Sequence, residues 1–523
     1  MNDRMKRERI EKKVDCIFAD IPTDLYPLLM GNYTREVEPF RQWFSLRCVS
    51  SHFRVNIDYV FAQIRELAQP IVNLLYHDRQ LTLLPRLTRL NLRWNSRITN
   101  TGIAHLSALT RLTMRRGGSC SLQGLDKLSG TLTCLSMRDK YKWQPGELSL
   151  LTGLRRLNLN GSITERYKGT DFLVMTALIH LREVKTDGAD YRFTHLTMLS
   201  TIDFRNLDKE SAVVAMSFGN LTSLRLSGSS YAGKPWLCLL SSLTRLELAY
   251  CSSMSDFTLP TTLTRLSLIG WTGARGHVQD NALCGLTRLR RLNLRQSIWF
   301  TDNALLHVPQ LEHLDLSFTT NIHGEALVRL ASSLRRLNLK ECTSITDAYL
   351  SQLTGLTHLT VMRSGGIGEA GLLSLTGLRT LICGAFTISD QRLSGFTSLT
   401  SLELHPTYVH GKSIYPSLGL MTRLERLVIA GIRGCMTVFP SLPRLKSLRV
   451  PHLLLGRDQL LCCPLLTHVE CVANENTMCG DFDHLARLQS LSLSYRSLSD
   501  SRASYPGLIK LRDKGIILSC FYL

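Results

Sequence analysis

The chain has 523 residues, of which 44% are hydrophobic and 20% are charged. This length exceeds the usual ceiling for one hydrophobic core, about 250–300 residues, so we expect several domains or a repeat array. Lys and Arg number 62 against 42 Asp and Glu, which gives a net charge of +20. Such an excess makes cationic partners improbable and favours acidic proteins or nucleic acids.

Cysteine usage and the chain start favour a reducing compartment. The 15 cysteines are an odd number, and no apolar signal-peptide core follows the charged segment 1–17. No apolar run is long enough to span a bilayer. We therefore expect free thiols and a cytoplasmic protein, with the nucleus as the alternative. The basic cluster around Lys12 and Lys13 is either a nuclear-targeting segment or the solvated start of a helix.

Residues 18–68 are predicted to form a small module of three short amphipathic helices. Thr23 or Asp24 can cap the first helix. The second covers residues 40–49. The third is predicted from an apolar stripe with spacings of four, three and four residues: Ile57, Phe61, Ile64 and Ala68.

The apolar pattern of this module resembles the F-box family. Residues 21–25, IPTDL, are similar to its opening Leu-Pro-x-Glu-Leu, and residues 46–53 to its closing Leu-x-x-Val-(Cys/Ser)-x-x-(Trp/Phe). The chain departs from the pattern by one Leu-to-Ile and one Glu-to-Asp replacement, and by Pro27 early in the first helix. The resemblance implies docking to a Skp-type adaptor of a cullin ligase through Ile21, Pro22, Leu25, Leu29, Leu46, Val49 and Phe53.

The same helices have a second interpretation. The open end of a repeat array exposes its core and needs a cover, which three amphipathic helices can supply. The sequence leaves both the F-box and the plain cap open. Residues 69–86, which contain the breakers Pro70 and Pro85, are predicted to be a connector.

One pattern recurs about every 22 residues over residues 87–507. Its clearest copy, residues 334–355, opens with L-x-x-L-x-L, whose alternation is typical of a strand, and ends with leucines spaced for a short helix. One copy cannot bury its leucines alone, so neighbouring copies must stack. The sequence thus predicts an α/β leucine-rich repeat solenoid, a horseshoe with parallel strands on its concave face. Residues 508–523 are predicted to form a C-terminal cap whose last strand covers the open end.

The copies can be placed at 19 starting leucines. They are Leu87, Leu109, Leu132, Leu154, Leu181, Leu199, Leu221, Leu243, Leu263, Leu289, Leu311, Leu334, Leu356, Leu378, Leu399, Leu424, Leu445, Leu466 and Leu488. The register is irregular at Leu181, where a gap of 27 residues is followed by one of 18.

Two further repeat positions indicate a subclass. Thr or Asp/Asn behind the strand, as at Thr346 and Asp347, can cap the following helix. The ninth position holds Asn95, Cys251, Cys342 or a Ser/Thr, and a small polar group there can satisfy backbone donors. This combination resembles the cysteine-containing repeats of F-box proteins, with each convex helix about one turn shorter than in that family.

Strand alternation places the third and fifth residues of each repeat on the solvent-facing surface. The third position is predominantly basic, with Glu183 as its acidic member, while the fifth is mixed and includes Glu247 and Asp315. Two interpretations compete: a neutral surface of exposed ion pairs, or a docking surface for carboxylates or phosphates. We favour docking because basic residues outnumber acids there. The predicted partner-binding residues are Arg89, Arg111, Arg156, Arg245, Arg265, Arg291, His313, Arg336, His358 and Arg426.

Catalytic and metal-binding patterns do not emerge. There is no nucleophile elbow, kinase signature or H-E-x-x-H, so we predict no enzyme, no cofactor and no small-molecule substrate. The Cys and His residues within 462–484 lack zinc-finger spacing, and no metal site is predicted.

The sequence therefore predicts a protein-interaction adaptor. The first hypothesis is the substrate-receptor subunit of an SCF-type (cullin-RING) ubiquitin ligase, which would hold an acidic target on the basic concave face. The second is a stand-alone scaffold for an acidic protein, with the N-terminal helices as a cap. Nucleic-acid binding ranks third, because aromatic residues for base stacking are scarce among the concave positions.

Overall fold

The computed structural model divides the chain into two compact units, Met1–Pro260 and Thr261–Leu523. Within the described residues, no helix has the length and apolar character needed to cross a membrane. The described residues are 61–67, 72, 75, 77–93, 95–115, 119–138, 146–159, 175–185, 196–205, 219–228, 235–251, 258–270, 280–384, 393–405, 416–430, 434–435, 439–455, 457–473, 482, 484–495 and 516–522.

Short strands recur along the N-terminal unit, and each pairs in parallel with the next. They are β1 (Arg89–Asn91), β2 (Arg111–Arg115), β3 (Cys134–Arg138), β4 (Arg156–Asn158), β5 (His180–Lys185), β6 (Thr201–Arg205), β7 (Ser223–Ser227) and β8 (Arg245–Ala249).

The C-terminal unit continues the same plan with parallel pairings from β9 onwards. Its strands are β9 (Arg265–Ile269), β10 (Arg291–Asn293), β11 (His313–Asp315), β12 (Arg336–Asn338), β13 (His358–Val361), β14 (Thr380–Gly384), β15 (Ser401–His405), β16 (Arg426–Ile429), β17 (Gly434–Cys435), β18 (Ser447–Leu454), β19 (His468–Ala473), β20 (Ser490–Tyr495) and β21 (Ile517–Tyr522). Strand β21 pairs with β20, which confirms the predicted closing strand.

The backs of the repeats form short helices of three to seven residues, as the short period predicts. The α-helices are α1 (Asn100–Ala104), α2 (Asp302–Leu305), α3 (Asp347–Leu350), α4 (Glu369–Leu373) and α5 (Arg457–Leu461). The 3-10 helices are Asp78–Leu83, Leu122–Leu128, Leu148–Leu150, Pro235–Leu239, Asp280–Leu283, Glu325–Leu330 and Pro416–Leu420.

The repeat leucines fill the space between strands and helical turns. In the repeat that opens at Leu334, the strand residues Leu337 and Leu339 and the helical residues Leu350 and Leu353 are all buried. Full burial of one such side chain contributes about 1.5–3 kcal/mol, and every repeat supplies several. Both units are therefore stacks of leucine-rich repeats, which confirms the repeat part of the predicted fold class. Most of the predicted N-terminal helical module lies outside the described residues.

The predicted third helix of the N-terminal module is wrong in its second half. Phe61 is helical and buried, but residues 62 and 63 form a turn and Ile64 lies outside the helix. Glu66 forms a parallel bridge with Arg89, so this segment acts as an edge beside β1 and does not continue as a helix to Ala68. The apolar spacing fits both structures, and pairing with β1 gives the backbone partners that the helix would otherwise supply.

The predicted connector is also organised as a repeat. Its 3-10 helix Asp78–Leu83 lies where later repeats place their helical turn. The amide Nδ2 of Asn95 donates to the carbonyls of Val72 (2.6 Å) and Leu75 (2.9 Å), which ties this segment to the next repeat. Within the described residues, the repeat pattern therefore extends back from Leu87 to Ile64.

The repeat start at Leu181 is a register error. The structure pairs Leu181 with Leu157 and His180 with Arg156, so the repeat begins at Leu178. A bulge follows Leu181, and Val184 pairs with the core residue Phe204. The extra residue in the bulge displaces the expected L-x-L alternation, which is why the pattern misassigned the start.

The side chain at the ninth repeat position forms a hydrogen bond to the preceding repeat. The Cys342 thiol donates to the carbonyl of Leu316 at 2.7 Å, and the Ser364 hydroxyl donates to the carbonyl of Leu339 at 2.5 Å. The sequence predicted that this position satisfies backbone donors, whereas these side chains satisfy acceptors. Asn95, by contrast, also accepts from two backbone N–H groups. Burial raises the pKa of the Cys342 thiol, so it remains a protonated donor.

Carboxylates on the helical side cap the following repeat. The Asp78 Oδ1 accepts from the backbone N–H of Thr99 at 2.8 Å, and its Oδ2 accepts from the Thr99 and Thr101 hydroxyls at 2.5 Å each. Thr99 in turn caps its own helix α1 by accepting from the N–H of Thr101. Thr99 and Thr301 thus cap within their repeats, as predicted, whereas Thr346 forms no side-chain cap to its helix. Asp residues link successive repeats.

Gly102 tests this link, because a Cβ there would lie 2.4 Å from Asp78 Oδ1. We expect Gly102→Ala to lower the free energy of unfolding by about 1–3 kcal/mol through overpacking, although helix propensity alone favours Ala. The control is Gly130→Ala, since no heavy atom lies within 4 Å of its Cβ position. Urea unfolding measures both variants. An unfolding midpoint for Gly102→Ala at or above the parent value would contradict the Asp78 link.

Candidate functional site: a basic strand face

The predicted partner-binding residues of the C-terminal unit form one row. The strand register aligns Arg265, Arg291, His313, Arg336 and His358 at the third position of β9 to β13. Neighbouring strands are about 4.8 Å apart, so each of these side chains stands beside the next. Because their strand neighbours Leu292, Leu314 and Leu337 are buried, the row lies on the opposite, solvent-facing side of the sheet.

The N-terminal unit has its own row. Arg89, Arg111, Cys134, Arg156 and His180 are aligned across β1 to β5. The sequence predicted Glu183 in this row, but the corrected register replaces it with His180. A histidine therefore takes the place of the one acidic third-position residue that the sequence had suggested.

Arg245 closes the N-terminal unit, where it pairs in register with Ser223. The sequence analysis placed Arg245 among the predicted partner-binding residues together with Arg265 and Arg291. The register of each unit, taken by itself, aligns Arg245 with Thr201 and Ser223 and aligns Arg265 with Arg291.

Ion pairs neutralise only part of these rows. Arg89 lies 3.2 Å from Glu66, and Arg426 lies 3.8 Å from Glu403. The predicted neutral pairing is thus present at Arg89 in β1 and at Arg426 in β16. Glu247, however, pairs with Arg225 at 3.2 Å, and both are fifth-position residues.

Asp315, the acid nearest the middle of the row, is engaged elsewhere. Its Oδ1 accepts from the N–H (2.9 Å) and hydroxyl (2.6 Å) of Ser317, and its Oδ2 accepts from Asn338 Nδ2 at 3.1 Å. Among the described residues, no carboxylate forms an ion pair with Arg291 or Arg336. Both guanidinium groups are exposed, so their donors are available to a ligand.

The neighbouring guanidinium groups affect the pKa values of the histidines in the row. Burial lowers the pKa of His313, and the positive charges of Arg291 and Arg336 lower it further. Burial and Arg336 likewise lower the pKa of His358. Both imidazoles are therefore neutral at pH 7, and a bound anion that offsets the guanidinium charge would raise their pKa values.

The seventh repeat position adds basic residues that the sequence analysis missed. Arg295 and Lys340 follow β10 and β12 by two residues, and the alternation places them on the same surface as Arg291 and Arg336. Asn293 and Asn338 accept the backbone N–H groups of Arg295 and Lys340 at 2.9 and 3.1 Å. Continuing the alternation by one more step beyond L-x-x-L-x-L would have found them.

The predicted adaptor-binding residues, from Ile21 to Phe53, lie outside the described residues. The Cys and His residues of the C-terminal repeats do not converge: Cys463 and Cys471 are buried, whereas His468 is exposed on the strand face. Burial raises the pKa of Cys463 to about 12. Within the part of the chain that the structure describes, no group of three His, Cys, Asp or Glu is placed to hold a metal ion.

No family model and no curated protein matches the chain. Among solved structures, it is similar to an internalin from Listeria monocytogenes, with TM-score 0.34, 17% identity, and coverage of 67% of this chain and 89% of that one. It is also similar to the protein of a TLR13–ssRNA13 complex, with TM-score 0.43, 18% identity, and coverage of 80% of this chain and 60% of that one. A third similar structure is an LRR protein from Leptospira interrogans, with TM-score 0.30, 16% identity, and coverage of 89% of this chain and 98% of that one.

The electrostatic coupling within the row has a direct test. Replacing both neighbours, Arg291→Gln with Arg336→Gln, should raise the pKa of His313 because two positive charges that disfavour the imidazolium are removed. NMR titration of histidine-labelled protein measures this value. The matched control is Arg423→Gln with Arg487→Gln, two exposed arginines outside the strands. An unchanged pKa of His313 in the first variant would mean that the row is not electrostatically coupled.

Proposed function

We propose that this protein is a non-catalytic interaction protein that holds an acidic protein partner on the strand face of β9 to β13. The observation that carries the proposal is the third-position row, in which Arg291 and Arg336 flank His313 without a described carboxylate partner. Guanidinium forks bind carboxylates bidentately, with about twice the strength of neutral hydrogen bonds. An acidic surface supplies the counter-charges that the row itself lacks.

Binding of an acidic partner changes the protonation of His313. A bound carboxylate offsets the guanidinium charges that lower the pKa of His313, so binding is accompanied by proton uptake. The pKa of His313 is higher in the complex than in the free protein. Affinity for an acidic partner therefore rises as the pH falls towards the free-state pKa.

A finer proposal concerns the N-terminal module. We infer that residues 18–60 dock a Skp-type adaptor, so that the chain serves as the substrate receptor of a cullin-RING ubiquitin ligase in the cytoplasm or nucleus. The support is the F-box-like pattern at residues 21–25 and 46–53. If the module does not bind an adaptor, the protein is a stand-alone repeat scaffold, and these helices cover the array upstream of Ile64.

Charge reversal tests partner binding. Arg291→Glu with Arg336→Glu should raise the Kd for a fluorescent glutamate-rich peptide at least about tenfold at 0.1 M salt, where the Debye length is about 10 Å. The melting temperature should change little, because both residues are exposed. Arg423→Glu with Arg487→Glu makes the same charge change outside the strands. Equal peptide affinity for both double variants would contradict the proposal, and stronger competition by single-stranded DNA would favour nucleic acid as the ligand.

Adaptor binding has a separate test. Leu25→Ala with Val49→Ala should abolish binding of a purified Skp-type adaptor, because truncated anchors at the centre of an apolar interface lose most of the affinity. The matched control is Leu239→Ala with Leu420→Ala, two exposed leucines of the repeats. Isothermal titration calorimetry measures both. A parent protein that does not bind micromolar adaptor would remove the ligase role and leave the cap interpretation.

A further inference from the structure

An aromatic ring at the end of β11 lies beneath two cations. Arg295 Cζ is 5.4 Å and Lys340 Nζ is 5.5 Å from the centroid of the Phe318 ring. These cations come from the repeats on either side of Phe318, and both distances lie within the range of cation–π attraction. Neither Arg295 nor Lys340 forms an ion pair with a carboxylate among the described residues. The ring therefore holds two uncompensated positive charges in fixed places.

Phe318 occupies a costly backbone conformation. Its φ of 63° is left-handed, and the same repeat position is Gly in two other repeats, Gly228 and Gly270. A side chain in this region costs about 1 kcal/mol or more relative to glycine. The fold satisfies the backbone in either case, because the N–H of Phe318 donates to the carbonyl of Lys340 at 2.8 Å just as Gly270 donates to Arg295. The turn itself therefore does not require an aromatic ring.

Arg295 and Lys340 form a second basic row parallel to the first. They follow Arg291 and Arg336 by four residues, which corresponds to about 13 Å along the strand direction. Within each row, the two cations are two strands apart, or about 9.6 Å. The floor between the rows consists of Asn293, Asp315 and Asn338, whose carbonyl or carboxylate oxygens already accept backbone N–H groups.

We propose that the two rows clamp an acidic α-helix laid across β10 to β12, with Phe318 as the residue that positions the second row. This proposal rests on the proposed function and names the shape of its partner. A helix with side chains is about 10–12 Å across, which matches the separation of the rows. Carboxylates seven residues apart on one flank are about 10.5 Å apart, which matches the spacing within a row.

Other anionic ligands fit this arrangement less well. An extended acidic peptide or a single nucleic-acid strand laid along one row leaves the other row, about 13 Å away, unoccupied, and one that crosses both rows meets each of them at a single point. The Asp315 carboxylate in the floor also opposes a phosphate backbone that lies directly on the sheet. A helix keeps its charges at its flanks, away from this carboxylate. Duplex DNA also has two lines of charge, and the experiment therefore includes it as a competitor.

The experiment uses the full chain and two stapled helical peptides of about 20 residues with equal numbers of Glu. One peptide carries Glu on both flanks at seven-residue spacing, and the other carries all Glu on one flank. Fluorescence anisotropy at 0.1 M salt should show about tenfold tighter binding of the two-flank helix to the parent. Arg295→Gln with Lys340→Gln should abolish this preference but leave the single-flank affinity within about twofold. The control variant, Arg423→Gln with Arg487→Gln, should keep the preference for the two-flank helix.

Phe318→Leu isolates the ring, because it keeps the net charge, the bulk and the left-handed backbone. It should reduce the preference for the two-flank helix about threefold, as expected for loss of cation–π contacts at an exposed site, without a change in melting temperature. Equal affinity of the parent for both peptides would overturn the clamp while leaving the single Arg–His row as the partner site. Binding of neither peptide would overturn both proposals. Duplex DNA that displaces the two-flank helix at equal charge concentration would overturn the helix as occupant.

Discussion

The parallel register between neighbouring repeats is the constraint on which the rest of the structure depends. Each L-x-x-L-x-L buries its fourth and sixth residues, and the backbone of each strand pairs with the next at the same repeat position. A side chain at one position therefore stands beside its counterpart in the next repeat, about 4.8 Å away. Residues 22 or 23 positions apart in sequence, such as Arg291 and His313, become direct neighbours through this register alone.

Several polar contacts serve this register by linking successive repeats. The Cys342 thiol bonds to a carbonyl of the preceding repeat, and the Asp302 carboxylate accepts backbone N–H groups of the next one at 2.7–3.1 Å. Left-handed residues at the eighth position, such as Gln296 and Glu341, extend the backbone ladder past the end of each strand. Because each bond joins adjacent repeats, stability is distributed along the stack, and the third- and seventh-position side chains of the strand face take no part in these bonds.

That freedom explains how a ligand surface can arise on a repetitive scaffold. Third- and seventh-position side chains contribute little to the core, so their identity can follow the needs of a partner. In the repeats of β10 and β12 both positions are basic, whereas the β11 repeat has His313 and Ser317 there. The acid of the β11 repeat, Asp315, is occupied by Ser317 and Asn338. The sheet sets the positions of the remaining positive charges, and cation–π attraction to the Phe318 ring helps to hold two of them. Recognition would thus depend on a pattern of rows and on no single pocket.

The sequence by itself determined the repeat, its strands and the third-position row, because leucine spacing reports burial directly. It also predicted the closing strand β21. Tertiary structure alone decided which acids neutralise the row, since Asp315 is drawn away by Ser317 and Glu247 by Arg225.

The errors in the sequence analysis at Leu181 and Ile64 have the same physical cause. The bulge after Leu181 and the bridge between Glu66 and Arg89 depend on pairing with a neighbouring strand. Such pairing is a contact between repeats that the leucine pattern of one repeat does not encode. Phe318 looked like an isolated aromatic residue in the sequence. Only the stack brings Arg295 and Lys340, each more than 20 residues away, over its ring.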